Sequence, residues 1–188
     1  MRRVVTRYPF VTLPDYLAAG LSLVFVGINP GTYSVARGRY FARTTNRFWP
    51  AFSRSTLSAP IRIALRVDTL GPEHDATLLE FGIGFTDVVK KPSANAAGLT
   101  PRDFELWAPR LATRLRRLQP RVACFHGVTA YRPFARIVLG VDEGPALGAQ
   151  PATIGATQLF VVPNPSPANA HFTVADQAEW YDRLAAVL

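Results

Sequence analysis

Cysteine is nearly absent from this chain, and long hydrophobic runs do not occur in it. Cys124 is the only cysteine, which excludes an intrachain disulfide and a four-cysteine iron–sulfur cluster. Because Cys124 stands in an apolar stretch, we expect it in the core. The longest apolar stretches, residues 21–26 and 159–162, are strand-sized and far shorter than the ~20 residues that span a bilayer. No signal peptide is evident either, so we expect a cytoplasmic protein with no membrane contact.

Negative charge is scarce relative to positive charge. The 188 residues include 21 Lys and Arg against 13 Asp and Glu, a formal net charge of +8. Such an excess favours a polyanionic partner through the release of condensed counterions. Lys90 and Lys91 are the only lysines, and arginine suits bidentate phosphate contacts. Genome-composition bias explains a preference for arginine but not the net excess, so nucleic acid is a candidate partner.

Strand-like and helix-like segments alternate along most of the chain. Predicted strands cover residues 21–26, 82–89, 121–125 and 158–162, and predicted helices begin near residue 45 and cover 75–81, 101–118, 128–139 and 173–187. The helix starts at Thr100 and Thr173 each carry an acid at the third helical position, and Asp75 is a candidate cap. Residues 1–20 are expected to form an irregular arm and residues 32–44 a loop. The order predicts a three-layer α/β/α sandwich with a central, largely parallel sheet, in a single domain over residues 1–188.

Three motif-rich turns follow predicted strands, at residues 27–31, 87–93 and 163–170. In an open parallel sheet, ligands bind outside the carboxyl ends of the strands. We therefore expect the three turns to converge on one site.

The first turn is Gly27-Ile28-Asn29-Pro30-Gly31. Its glycines allow a tight bend and a close approach to a ligand, and Pro30 stiffens it. The amide of Asn29 both donates and accepts hydrogen bonds, so it can hold a water molecule. Two alternatives stay open at this point: an Asx turn within the backbone, or a phosphate-binding loop, although no P-loop lysine follows.

An ordered set of motifs carries a family resemblance. The motifs are GINPG at 27–31, Phe41-Ala42, Asn46-Arg47-Phe48-Trp49, GFTDVV at 84–89 with Pro92 beyond, and Pro163-Asn164-Pro165-Ser166. In this order they resemble the mismatch-specific uracil-DNA glycosylases and their thymine-DNA glycosylase relatives. The resemblance implies an α/β/α fold, no metal or other cofactor, and hydrolysis without a covalent enzyme–base intermediate.

The resemblance also assigns roles to residues of the first turn and of the loop that follows it. Asn29 would position the attacking water, and the backbone of Gly27 and Ile28 would meet the polar edge of the flipped base. Phe41 would stack on the face of the base, with core packing as the alternative. Ser34 matches a position beside the pyrimidine C5 atom, where a small residue leaves room for a substituent.

Asp87 departs from the pattern, because the best-known members carry lysine or asparagine at this position. An aspartate in an apolar strand is seldom buried without a purpose. Near the anomeric carbon it could act as general base or stabilise a cationic sugar. The alternative is a helix cap or a salt bridge with Lys90, Lys91 or an arginine. Ser93 matches a position that helps to hold the water.

The third turn matches the family's loop that enters the minor groove beside the flipped nucleotide. Its candidate DNA-binding residues are Asn164, Ser166, Pro167, Ala168, Asn169 and His171. Well-known members have a bulky leucine or an arginine near the tip, whereas residues 167–169 are small here. Strong wedging and tight reading of the opposite guanine are therefore in doubt.

Several basic residues are further candidates for phosphate contact. Arg37, Arg39 and Arg43 flank the predicted stacking residue, and Lys91 follows the second turn. The run Arg110, Arg114, Arg116 and Arg117 is typical of a solvated helix face, with DNA contact as the alternative. His126, which precedes a glycine at a strand end, is a candidate brace for a phosphate loop.

These inferences predict a monomeric, monofunctional glycosylase that removes uracil from duplex DNA, with G:U mismatches as the expected substrate and thymine or modified pyrimidines as possible ones. The alternatives are a non-catalytic nucleic-acid-binding module on the same fold and a small-molecule hydrolase with a phosphate loop at 27–31.

Overall fold

The computed structural model describes residues 8–142, 144 and 146–188, and a five-stranded sheet lies at its centre. The strands are β1 (Leu23–Gly27), β2 (Ile83–Asp87), β3 (Val122–His126), β4 (Gly148–Ile154) and β5 (Thr157–Val162), in the order β2-β1-β3-β5-β4. All pairs are parallel except β4 with β5. The prediction of a largely parallel sheet is confirmed, with β4 as an antiparallel edge strand.

Six α-helices surround the sheet within the described residues: α1 (Thr32–Arg37), α2 (Phe48–Arg54), α3 (Ala59–Leu65), α4 (Pro101–Leu118), α5 (Val128–Leu139) and α6 (Val174–Ala185). The helix predicted at 75–81 is a short 3-10 helix, Thr77–Phe81. Both predicted capping boxes form. The Oγ1 of Thr100 and of Thr173 accepts from the backbone N–H of the aspartate three residues on, and that aspartate's carboxylate accepts from the threonine N–H. Each box satisfies N–H groups that the first helical turn would otherwise leave unpaired.

The two faces of the sheet carry separate helical layers. On one face, Phe25 of β1 packs against Phe48 and Phe52 of α2 and against Tyr181 of α6. On the other, Phe125 of β3 packs against the α5 helix. Successive strand residues point to opposite faces, so this alternation gives the predicted α/β/α sandwich. Cys124 is buried in the core as predicted.

Two local predictions are wrong, and two elements were not predicted. Residues 32–44 do not form only a loop, because Thr32–Arg37 is a short helix that ends at Gly38 with a positive φ. Asp75 does not cap a helix; its buried carboxylate binds Arg39 and the backbone N–H of Tyr40. The strand β4 and the helix α3 were not predicted at all.

The predicted arm forms part of the core where the structure describes it. Leu13 and Leu17 are buried, and Tyr16 pairs with Phe85 along the outer edge of β2. Residues 1–7 of the arm lie outside the described residues. Among the described helices, none is both long and apolar enough to cross a membrane.

Candidate active site

The first and second turns run side by side beyond the ends of β1 and β2. Gly27 and Asp87 are register partners, and the pairing continues when Val88 N–H donates to the Gly27 carbonyl at 2.8 Å. It extends to Ser93, whose N–H donates to the Pro30 carbonyl at 3.2 Å. Asn29 and Asp87 therefore lie at the same edge of the sheet, on adjacent turns.

The amide group of Asn29 has a fixed orientation. Its nitrogen donates to the Lys91 carbonyl at 3.1 Å and to Ser93 Oγ at 2.8 Å. Because a backbone carbonyl only accepts, the atom that faces it must be the NH₂ nitrogen. No described residue donates to Asn29 Oδ1, so this oxygen is able to accept a hydrogen bond from a water molecule. The half-buried amide thus both fastens the two turns together and offers an acceptor.

The carboxylate of Asp87 is buried at the end of β2. Its Oδ2 accepts hydrogen bonds from Tyr40 Oη and Lys90 Nζ, both at 3.2 Å. Its Oδ1 faces the first turn so closely that a Cβ on Gly27 would lie 2.6 Å from it. Glycine at position 27 therefore leaves the space that Oδ1 occupies. One carboxylate oxygen is anchored, and the other points toward the turn that carries Asn29.

Burial raises the pKa of the Asp87 carboxyl above its usual range, and the nearby Lys90 ammonium opposes that rise. The negative charge of Asp15 acts in the same direction as burial. A carboxylate with a raised pKa is a stronger proton acceptor near neutral pH. The environment of Asp87 is thus suited to general-base chemistry.

Phe41 lies in the loop after α1 with one ring face covered. Its ring stacks on Phe48 with centroids 4.3 Å apart and meets His126 edge-on, yet the residue is only half-buried. Its φ is +53°, an uncommon conformation for a bulky residue and one found at functional sites. Ser34 holds this loop, because its Oγ accepts from Ala42 N–H at 3.3 Å.

The third turn follows β5 and is held at the same end of the sheet. A Cβ on Gly127, just after β3, would lie 2.9 Å from Asn164, and Asn164 Oδ1 accepts from Ser166 N–H at 2.9 Å. Arg47 donates to the carbonyls of Ser166 and Asn169 at 2.9 and 3.0 Å. The remaining predicted tip residues are exposed: Pro167, Ala168 and His171. The three motif-rich turns thus project from one end of the sheet.

A comparison with protein-family models identifies this arrangement. The model of the uracil DNA glycosylase superfamily matches residues 14–186, a span that contains all three turns. The chain belongs to this superfamily. Its members are hydrolytic DNA glycosylases that act on DNA with damaged bases, and membership supports this activity and DNA as the partner. The broad part of the predicted resemblance is confirmed, while the mismatch-specific type stays a prediction.

The basic residues of this superfamily member fall into two groups. Arg39 binds the buried carboxylate of Asp75 at 2.7 Å, and Lys91 binds Asp103 at 3.2 Å on the surface. Arg43 lies over the ring of Tyr33 at 5.0 Å, with Arg37 at 5.2 Å from the same ring. No described acid lies within ion-pair distance of Arg37 or Arg43, so both guanidinium groups are available for phosphate.

His126 does not brace a phosphate loop, and that prediction is wrong. It is buried beside Phe25, and its Nε2 contacts Tyr181 Oη at 3.0 Å. Burial lowers its pKa to about 3, so the ring is neutral near pH 7. Within the described part of the chain, no three His, Cys, Asp or Glu side chains are grouped so that they could hold a metal ion.

Sequence reasoning missed several residues that support the site. Asp15 and Tyr40 lie around Lys90, and Arg47 holds the third turn. Arg114 is buried against Asp15, so the prediction of a solvated arginine run is wrong at this position. The one available signal was Lys90 itself, because it follows two valines in an apolar strand end.

Proposed function

We propose that this glycosylase is monofunctional, belongs to the mismatch-specific uracil/thymine type, and removes flipped uracil from duplex DNA. The ordered motifs of the three turns support the type. The observation that carries the proposal is the placement of an amide acceptor, Asn29 Oδ1, on the turn adjacent to the buried carboxylate of Asp87.

In the proposed reaction, water attacks C1′ of the deoxyribose between these two groups. Asn29 Oδ1 accepts one hydrogen bond from the water, with the amide braced by Ser93 Oγ. The C1′–N1 bond breaks with its electron pair on the base, the water oxygen bonds to C1′, and Asp87 accepts the water proton. Before the water attacks, the anionic carboxylate also stabilises positive charge on the sugar.

In this proposal, the first turn and the loop after α1 bind the flipped base. We assign the stacking surface for the base to Phe41, which is half-buried, and base–aromatic stacking contributes about 1–3 kcal/mol per base. The backbone at Gly27 and Ile28 is half-buried at the same edge and meets the polar edge of the base. Ser34, whose hydroxyl already bonds the Phe41 loop, leaves room beside C5.

The third turn and the free arginines form the proposed DNA-binding surface. Ser166, Asn169 and His171 contact phosphate or fill the space left by the base, with Pro167 and Ala168 at the tip. Because the tip is small, we propose weak wedging and broad tolerance of the opposite base. A G:U mismatch, which unpairs at low cost, is then the favoured substrate.

An excision assay tests this function. Labelled duplexes with G:U, A:U, G:T or an undamaged site are incubated with the protein and then treated with or without alkali. We expect strand breaks after G:U only when alkali is added, because a monofunctional enzyme leaves an intact abasic strand. Binding without any excision would instead favour a non-catalytic nucleic-acid-binding module.

Variants assign the roles. Asn29→Ala and Asp87→Asn should each lower the single-turnover rate about a hundredfold or more, with duplex affinity nearly unchanged. Asn95→Ala and Asp68→Asn are the matched controls, since both residues are exposed, and both should excise at the wild-type rate. Full activity of Asp87→Asn would remove the carboxylate from the mechanism.

A further inference from the structure

Lys90 is an unusual residue because its ammonium group is entirely buried. Its side chain has 0% exposure, and Nζ lies 3.2 Å from Asp87 Oδ2 and 3.1 Å from Asp15 Oδ1. Tyr40 Oη lies 3.3 Å from the same nitrogen. Burial of an ammonium group is costly unless it is paired and hydrogen-bonded, and Lys90 meets both conditions.

Asp15, the second acid on Lys90, has a set of partners of its own. Arg114 donates to its Oδ2 at 3.0 Å and Thr86 Oγ1 donates to its Oδ1 at 2.6 Å. Tyr8 Oη also donates to Oδ2. Two cations, Lys90 and Arg114, and two hydroxyl donors, Thr86 and Tyr8, therefore contact this carboxylate.

The charges in this group balance when both acids are ionised. Lys90 and Arg114 carry one positive charge each, and Asp15 and Asp87 carry one negative charge each. Protonation of Asp87 would leave an excess positive charge in a buried place. The phenols of Tyr8 and Tyr40 stay neutral, because burial raises the pKa of each above its usual range. Among the charged groups of residues 8–142, 144 and 146–188, the balance therefore involves these two cations and two carboxylates.

We propose that Lys90 is a positioning residue for excision: it holds the Asp87 carboxylate ionised, with Oδ1 turned toward Gly27, while Asp15 and Arg114 neutralise the remaining charge. This inference rests on the proposed role of Asp87. Lys90 reaches no substrate atom, since it is buried behind the carboxylate that faces the first turn.

Removal of Lys90 and removal of the Asp15 charge should shift the pKa of the Asp87 carboxyl in opposite directions. Without Lys90, two carboxylates share one buried cation. Asp15 keeps Arg114, Thr86 and Tyr8, whereas Asp87 keeps only Tyr40 among the described donors, so Asp87 takes the proton. Without the charge of Asp15, Lys90 acts on Asp87 alone and favours its ionised form more strongly.

The test compares Lys90→Met, Asp15→Asn and the double variant with the wild type. Single-turnover excision of G:U duplex is followed against pH, and the Asp87 carboxyl is titrated by ¹³C NMR in the same proteins. For Lys90→Met we expect the acidic limb and the carboxyl pKa to rise by about one to three pH units. Asp15→Asn should lower both, and the double variant should lie between the single variants. Arg136→Met, which removes an exposed charge on α5, is the control and should shift neither.

The outcomes separate this inference from the proposed function. An Asp87 titration that Lys90→Met and Asp15→Asn leave unchanged, or move in the same direction, overturns the role of Lys90. The Asp87 pKa could instead move as expected while the pH profile of the excision rate does not follow it. This result would support the control of Asp87 ionisation by Lys90 but contradict a base role for Asp87. If Lys90→Met fails to fold, Lys90→Gln, which removes the charge but keeps a hydrogen-bond donor, decides the matter by the same upward shift of the Asp87 carboxyl pKa.

Discussion

Gly27→Ala tests whether the space beside Asp87 controls the reaction. The added Cβ would stand 2.6 Å from Asp87 Oδ1, whereas ordinary contact begins near 3.4 Å. One of the two groups must therefore move by about 0.8 Å. The carboxylate cannot simply swing away, because its Oδ2 is held by Tyr40 and Lys90.

The expected cost follows from this displacement. A catalytic group misplaced by about 1 Å can lose about a hundredfold in rate, so Gly27→Ala should lower single-turnover excision by about tenfold to a hundredfold. Overpacking should also destabilise the fold by about 1–3 kcal/mol. Gly31→Ala is the stability control in the same turn, since its Cβ would meet no atom within 4 Å, and its urea midpoint should not change.

A double-mutant cycle shows whether the loss acts through the carboxylate. Asp87→Ala removes the atom that the new Cβ would strike, so Gly27→Ala should cost little further activity or stability in that background. Rates come from single-turnover excision and stability from urea melts of the four proteins. If the two losses simply multiply, the clash with Asp87 is not the cause and the geometric argument is refuted.

Two further predictions concern the DNA surface and the core histidine. The double variant Arg37→Gln/Arg43→Gln should weaken duplex binding and reduce the slope of log Kd against log salt by about two, because each phosphate contact contributes about one. Fluorescence anisotropy at several salt concentrations measures this slope. A slope equal to that of an Arg136→Gln control would contradict the prediction. Burial lowers the pKa of His126 from 6.5 to about 3, so between these values only the unfolded chain binds this proton and stability falls as the pH falls. His126→Phe should therefore flatten the dependence of unfolding free energy on pH by about 1.4 kcal/mol per unit between about pH 4 and pH 6, and urea melts with an unchanged slope would show that His126 is not responsible.

The parts of the fold that could be predicted carry strong local signals. The helices α4 and α6 begin at threonine caps with an acid three residues on, and the core strands are short apolar runs between turns. The missed strand β4 has neither signal, because its residues alternate between half-buried and exposed and include Pro151. Its position depends on pairing with β5, which is a tertiary contact.

In the candidate site, too, some residues could be predicted from the sequence and others could not. Asn29 and Asp87 could be placed at one edge because adjacent parallel strands end at the same side of a sheet. The partnership of Asp15 with Lys90 could not be predicted, since 75 positions separate the two residues in sequence and nothing local marks an aspartate in an irregular arm as buried. The burial of Arg114 could not be predicted for a related reason, since its neighbours Arg116 and Arg117 are exposed on the same helix.

A buried cation suits a carboxylate that works beside DNA. Phosphates bring negative charge to the mouth of the site, and like charge favours protonation of an acid. An exposed arginine such as Arg43 cannot offset this effect, because phosphate would bind it and salt would screen it. Lys90 is enclosed on the far side of Asp87 with no exposed surface, so neither ligand nor salt competes for it. On this proposal, the net charge of +8 attracts the DNA, and the buried charges around Lys90 keep Asp87 ionised once the DNA has bound.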